Sequence, residues 1–130
     1  MVATSPAVSR VLVIEDSLED ALLLALAFEE EAPEVQVHQV SDATSAVAYC
    51  QSLEAPQVVL LDLHLPGMTG IEMLIQLQQE VAAPLQVVCW SSHAHPGERQ
   101  AVLDQGAVAY LEKPQGIEGF SALVRALLTL

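Results

Sequence analysis

Lysine is all but missing from this chain. Lys113 is the only one, and with Arg10, Arg99 and Arg125 it makes four bases against seventeen acids, a net charge of -13. That balance excludes a basic face for nucleic acid or for an anionic membrane. Aromatic residues make up only 4%, so the core must be built from aliphatic side chains and alanine, and the hydrophobic fraction of 52% excludes a disordered chain. Cys50 and Cys89 are too few for a disulfide framework and stand too far apart for a paired metal motif, so buried thiols are expected. The longest apolar run, Ala21 to Phe28, is far short of a membrane span. The N-terminus lacks the basic flank and apolar segment of a secretory signal, which sets the expectation of a cytoplasmic protein. A length of 130 residues suits one domain with a proper core.

What is present alternates between two periods. Arg10 to Ile14, Val35 to Val40, Val58 to Leu61, Leu85 to Trp90 and Ala107 to Leu111 read as strands, each rich in aliphatic or β-branched residues and closed by polar or turn residues. Helical spacing fills the gaps. The segment after Ser17 places Leu18, Ala21, Leu22, Ala25 and Leu26 on one face, and Ser17 with Asp20 has the form of a capping box. Ala43, Ala46, Val47, Cys50 and Leu53 mark a second helix behind Ser41-Asp42. Ile71, Leu74, Ile75, Leu77 and Val81 mark a third, started at Thr69-Gly70 and stopped by Pro84. A short fourth helix ends where Gly106 can turn left-handed, and a fifth runs from about Ile117 to Leu130. Residues 1–9 read as a flexible lead-in and 10–130 as the folded domain. Five strands alternating with five helices imply an α/β fold, a parallel sheet covered on both faces by right-handed crossovers.

In such a sheet, ligands collect at the carboxyl ends of the strands. Those ends carry Glu15-Asp16, Asp62, Ser91 and Lys113. Asp62 alone could be a mere cap, since four apolar residues run into it and Pro66-Gly67 follows shortly after. Three acids in one crevice repel one another by about 4 kcal/mol per pair at ~4 Å and an effective dielectric near ~20, so they call for a cation. An all-oxygen donor set suits Mg2+. A lysine and a hydroxyl opposite the acids suit an anionic group such as a phosphoryl.

The motifs Val-Ile-Glu-Asp-Ser at 13–17, Leu-Leu-Asp-Leu-His-Leu-Pro-Gly-Met-Thr-Gly at 60–70, Ser91 and Tyr-Leu-Glu-Lys-Pro at 110–114 together resemble the receiver domain of two-component response regulators. The resemblance covers residues 10–130. It implies a doubly wound, flavodoxin-like (βα)5 domain with strand order 2-1-3-4-5. It implies that Asp62 accepts a phosphoryl group from a sensor histidine kinase in a Mg2+-dependent reaction, that Glu15, Asp16, Asp62 and the backbone carbonyl of His64 hold the metal, and that the His64 side chain matters little. Lys113 would pair with Asp62 and then with the phosphoryl group; Ser91 and Tyr110 would be the switch pair. The Lys113–Pro114 bond is cis in many relatives. Glu15 stands where Asp is commoner, and Ser91 where Thr is frequent. Trp90 before it is unusually large, suited to packing and to reporting the switch by fluorescence. The Glu-Asp-Ser-x-x-Asp opening and the acidic first helix resemble small regulators that pair with bacterial phytochrome kinases.

The rival readings are narrower. A haloacid-dehalogenase-type phosphatase needs a second acid where His64 stands. A nucleotide binder of the same fold needs a glycine-rich loop after the first strand. His64, His93 and His95 could offer a metal site, although loop histidines are commonly solvated. A receiver-like scaffold that is never phosphorylated stays open, though all the expected acids and the lysine are here. The protein is expected not to be an enzyme beyond its own phosphorylation and dephosphorylation. Only 17 residues follow Lys113, too few for a DNA-binding domain, so output through partners is expected. Phe120, Leu123, Val124, Leu127, Leu128 and Leu130 suggest a homodimer through the last helix.

Overall fold

The computed structural model of the chain describes residues 8–52, 55–82, 85–92 and 95–130. Most of the predicted lead-in, and Leu53 and Pro84, lie outside the described residues. The elements alternate as expected: β1 (Arg10–Ile14), α1 (Leu18–Glu31), β2 (Gln36–Val40), α2 (Ala43–Cys50), β3 (Val58–Asp62), α3 (Gly70–Glu80), β4 (Gln86–Ser91), α4 (Pro96–Gln105), β5 (Ala109–Glu112) and α5 (Ile117–Leu128). All pairings are parallel and the sheet order is β2-β1-β3-β4-β5, the doubly wound arrangement. No helix among the described residues is long and apolar enough to cross a membrane.

Strand alternation divides the core in two. Successive side chains of a strand point to opposite faces. Val11, Val13, Val58, Leu60, Val88 and Trp90 meet α1 and α5 through Leu24, Ala27, Phe28, Phe120, Leu123, Val124 and Leu127. Leu12, Ile14, Val59, Leu61, Val87 and Cys89 meet α2, α3 and α4 through Ala46, Val47, Cys50, Met73, Leu74, Leu77 and Val102. The same parity carries past the last apolar residue of each strand. Glu15, Asp62 and Lys113 continue the α1–α5 side, whereas Ser91 and Tyr110 belong to the α2–α4 side.

The local signals explain the boundaries. The Asp42 side chain caps α2 at the Ser45 amide. Thr69 and Glu72 form a full capping box at the start of α3. Gly106 ends α4 with φ 116°, the left-handed conformation expected of it. Gly70 is needed for a different reason: a Cβ there would lie 2.8 Å from the Cα of Leu63, so α3 can start this close to the Asp62 strand only without a side chain.

The face of α1 differs from expectation. Leu18, Leu22 and Leu26 are 80%, 60% and 46% exposed, while Leu24, Ala27 and Phe28 are buried. Leucine occurs on every side of this helix, so its periodicity offers two candidate stripes. Asp20 settles the rotation: it reaches Lys113 and lies on the same face as Leu24, Ala27 and Phe28, four, seven and eight residues further on. The last helix spends Phe120, Leu123, Val124 and Leu127 on the core, leaving Ile117 and Leu130 exposed. Leu24→Ala should therefore lower the free energy of unfolding by about 2–5 kcal/mol in urea titrations, and Leu22→Ala by no more than about 0.5 kcal/mol.

Candidate functional site

The site is built around the Lys113 ammonium. Its Nζ lies 2.6 Å from Glu15 Oε1, 3.0 Å from Asp20 Oδ2 and 3.3 Å from Asp62 Oδ2. The face of the Trp90 ring, with its centroid 4.9 Å from Nζ, closes the cage. Trp90 itself is fully buried and edge-on to Phe120. The Lys113 amide donates to the carbonyl of Ser91 at 2.8 Å, which fixes the strand end that carries the lysine. None of the described peptide bonds is cis, so Lys113–Pro114 is trans and the ammonium reaches the acids from a trans bond.

Asp62 is 3% exposed at the end of β3. Its Oδ1 accepts the backbone N–H of His64 at 3.0 Å, and its Oδ2 faces Lys113. Glu15 is fully buried, and its Oε2 accepts the Ser17 amide at 3.0 Å. Its Oε1 meets the Lys113 ammonium at 2.6 Å as an ion pair. Asp16 is exposed, and ligand oxygens of Glu15, Asp16 and Asp62 all lie within 4.8 Å of one another. Three carboxylates offering hard oxygen donors, those of Glu15 and Asp62 buried, fit a divalent cation of the Mg2+ class.

Burial pushes the Glu15 carboxyl up to about 7, against the opposing hydrogen bonds from Lys113 and the Ser17 amide, and Asp62 beside it raises it further. Burial alone would pull Lys113 down, but hydrogen bonds to Glu15 and Asp20 and the nearby negative charges outweigh it and the lysine is held above its ordinary value. Lys113 is therefore a permanent cation here.

A second cluster sits on the other side of the strand ends. His64 Nε2 lies 2.8 Å from Ser91 Oγ, and Tyr110 donates to Glu98 Oε1 at 3.1 Å. His95 packs edge-on against His64, while His93 lies outside the described residues.

The model of the response regulator receiver domain matches residues 11–125. This chain belongs to the response regulator receiver family. Over 108 residues it is 35% identical to protein-glutamate methylesterase/protein-glutamine glutaminase 1 of Cereibacter sphaeroides, covering 82% of this chain and 28% of that protein. It is 38% identical over 117 residues to the transcriptional regulatory protein KdpE of Mycobacterium tuberculosis, covering 89% of this chain and 49% of that protein. The chain thus spans about half or less of the length of these curated relatives. Among solved structures, a response regulator in red light signaling of R. palustris superposes with a TM-score of 0.78 at 28% identity, covering 92% of this chain and 90% of that one.

The structure brings Glu15, Asp16, Asp62 and Lys113 into one cluster and Ser91 and Tyr110 into another on the opposite side of the strand ends. In the sequence Asp20 stands as part of a helix cap and of the Glu-Asp-Ser-x-x-Asp opening, neither of which points to Lys113. Ser17 Oγ does accept the Asp20 amide at 3.3 Å, but the Ser17 amide is taken by Glu15, which leaves the Asp20 carboxylate to turn to Lys113. The His64 side chain, which the resemblance leaves without a role, holds Ser91. Glu98 carries no motif signal at all; only the fold brings it to Tyr110.

A carboxyl whose folded value lies above its free value favours the folded state at low pH. The Glu15 contribution is fully present below about 4.5 and is lost as pH rises through about 7. Glu15→Gln should remove that part of the decline, so that thermal midpoints of the variant and the parent converge near pH 4.5 and the variant is the more stable by pH 8.

Proposed function

We propose that this receiver domain is a response regulator module that accepts a phosphoryl group on Asp62 from a sensor histidine kinase and thereby changes its partner-binding surface. The observation that carries this reading is the caged Asp62: a buried carboxylate with one oxygen on a backbone amide and the other facing the chain's only lysine. An Asp62 carboxylate oxygen attacks phosphorus, a P–O bond forms as the P–N bond of the phosphohistidine breaks, and the departing imidazole takes up a proton. Lys113 then has a phosphoryl oxygen to pair with, and the Ser91 hydroxyl, a strand away, can donate to another. Glu15, Asp16, Asp62 and the carbonyl of His64 would hold Mg2+, which supplies positive charge to offset the phosphoryl group. In this reading the domain is not an enzyme in its own right, residues 10–130 form the working unit, and its place is the cytoplasm, where a kinase can phosphorylate it.

The surface next to Asp62 suits a helical partner. Leu18, Leu22 and Leu26 form an exposed apolar stripe that starts two residues after Asp16 and is flanked by Glu19, Glu29 and Glu30. A kinase helix with apolar and basic residues complements it; a second copy of this acidic chain would be repelled there. The likeness to a red light signaling regulator supports a phytochrome-type kinase as the partner. A homodimer would instead use α5, with Ile117 exposed at its start and Leu130 exposed just beyond its end.

Acetyl phosphate with Mg2+ should add the mass of one phosphoryl group to the parent protein and none to Asp62→Asn. Failure of the parent to gain mass returns the chain to the reading of an unphosphorylated scaffold. Leu22→Glu should leave labelling by acetyl phosphate intact while slowing transfer from a phosphorylated histidine kinase by about tenfold or more. Light scattering that gives a monomer at high micromolar concentration, phosphorylated or not, ends the dimer reading.

A further inference from the structure

Lys113 is shared three ways, and its partners are not equivalent. Nζ lies 2.6 Å from Glu15 Oε1, 3.0 Å from Asp20 Oδ2 and 3.3 Å from Asp62 Oδ2. An ammonium has three hydrogens and no acceptor, so three carboxylates take up all that it can give. The Trp90 ring, its centroid 4.9 Å from Nζ, closes the remaining side, and Trp90 is fully buried. The ammonium thus rests against a fixed wall, and its freedom is to move among the acids.

Glu15 cannot release the lysine cheaply: it is fully buried, and its charge would lose its counterion. Asp20 can. Its side chain is 27% exposed, so water can take over its oxygens. The start of α1 aims it. Ser17 Oγ holds the Asp20 amide at 3.3 Å, and Glu15 Oε2 takes the Ser17 amide, the donor that an acid at this helix position would otherwise reach. The Asp20 carboxylate turns instead to Lys113, 93 residues away in the chain. It stands nearer the ammonium than Asp62 does, so in the resting domain it draws Nζ towards α1 and away from the acid that would carry the phosphoryl group. A phosphoryl group brings roughly -1.5 to -2 charges and acceptor oxygens of its own. Asp20 then competes with those oxygens for the same ammonium.

We propose that Asp20 is a positioning residue that holds the Lys113 ammonium towards α1 in the resting domain and competes with the phosphoryl group for it, so that this carboxylate lowers the affinity of the site for a phosphoryl group. Occupation of Asp62 draws the ammonium off Asp20 and leaves the Asp20 side chain to water. The inference rests on Asp62 being the phosphoacceptor, and it adds a residue that sets how firmly the site holds what it accepts.

A chain with one lysine makes the test direct, since lysine labelled at Cε and Nζ gives a single side-chain signal in NMR. Asp20→Ala should shift that signal in the ligand-free protein. The second readout is a titration with beryllofluoride, a stand-in for the phosphoryl group, in the presence of Mg2+, with fluorine NMR reporting the bound form. Asp20→Ala should lower the half-saturating concentration by about threefold to tenfold, the range set by the net worth of one hydrogen bond. Asp20→Asn, which keeps a carbonyl acceptor for the ammonium, should fall between the parent and Asp20→Ala. Glu112→Gln removes an exposed acid next to Lys113 in the chain and should leave half-saturation near that of the parent. A merely structural role for Asp20 would lower the thermal midpoint and leave half-saturation in place. An unmoved lysine signal in Asp20→Ala, unchanged or raised half-saturation, or an equal drop in Glu112→Gln would overturn the proposal while the parent still binds beryllofluoride. If the parent protein binds none, it is the phosphoacceptor reading of Asp62 that falls, and the competition with it.

Discussion

The contact on which the rest depends is the Lys113 ammonium among Glu15, Asp20 and Asp62. Buried like charges at such distances repel by about 4 kcal/mol per pair at ~4 Å and an effective dielectric near ~20, and a chain with one lysine has little choice about what offsets them. Removing the lysine would leave all three carboxylates uncompensated. The same contact sets the rotation of α1, because Asp20 can reach Lys113 only if Leu24, Ala27 and Phe28 face the sheet. Even so, one ammonium is outnumbered by the carboxyl groups of Glu15, Asp16, Asp20 and Asp62, and that imbalance suits the crevice to a cation.

Sheet parity turns this charge cluster into a device with two sides. Alternation along β1, β3 and β5 sends Glu15, Asp62 and Lys113 towards α1 and α5, where the buried Trp90 ring closes the cage. Alternation along β4 and β5 sends Ser91 and Tyr110 the other way, to His64 and Glu98. The backbone link from the Lys113 amide to the Ser91 carbonyl joins the two sides at 2.8 Å. A charge added at Asp62 thus acts on the lysine directly and on the second cluster through strand ends only one residue away.

Much of this was legible in the chain. Five apolar runs ending in polar residues are a strong signal because a parallel strand buried on both faces leaves little room for polar side chains before its end. The acids and Lys113 were visible for the same reason: each interrupts an apolar run at its carboxyl end. The face of α1 was not legible, because leucines on all sides give the helix two equally good stripes and only a contact across 93 residues, from Asp20 to Lys113, chooses between them. Asp20 was hidden by its local role beside Ser17. Glu98 and the His64 side chain were hidden because hydrogen bonds between loop and helix side chains leave no period in a sequence.

The central claim is that Asp62 forms an acyl phosphate, and borohydride trapping tests it most directly. Protein treated with acetyl phosphate and Mg2+, reduced with borohydride and mapped by peptide mass spectrometry should carry homoserine at position 62 and at no other aspartate. An unreduced Asp62 alongside a modified Asp16, Asp20 or other carboxylate, or no reduction product anywhere, would contradict the account.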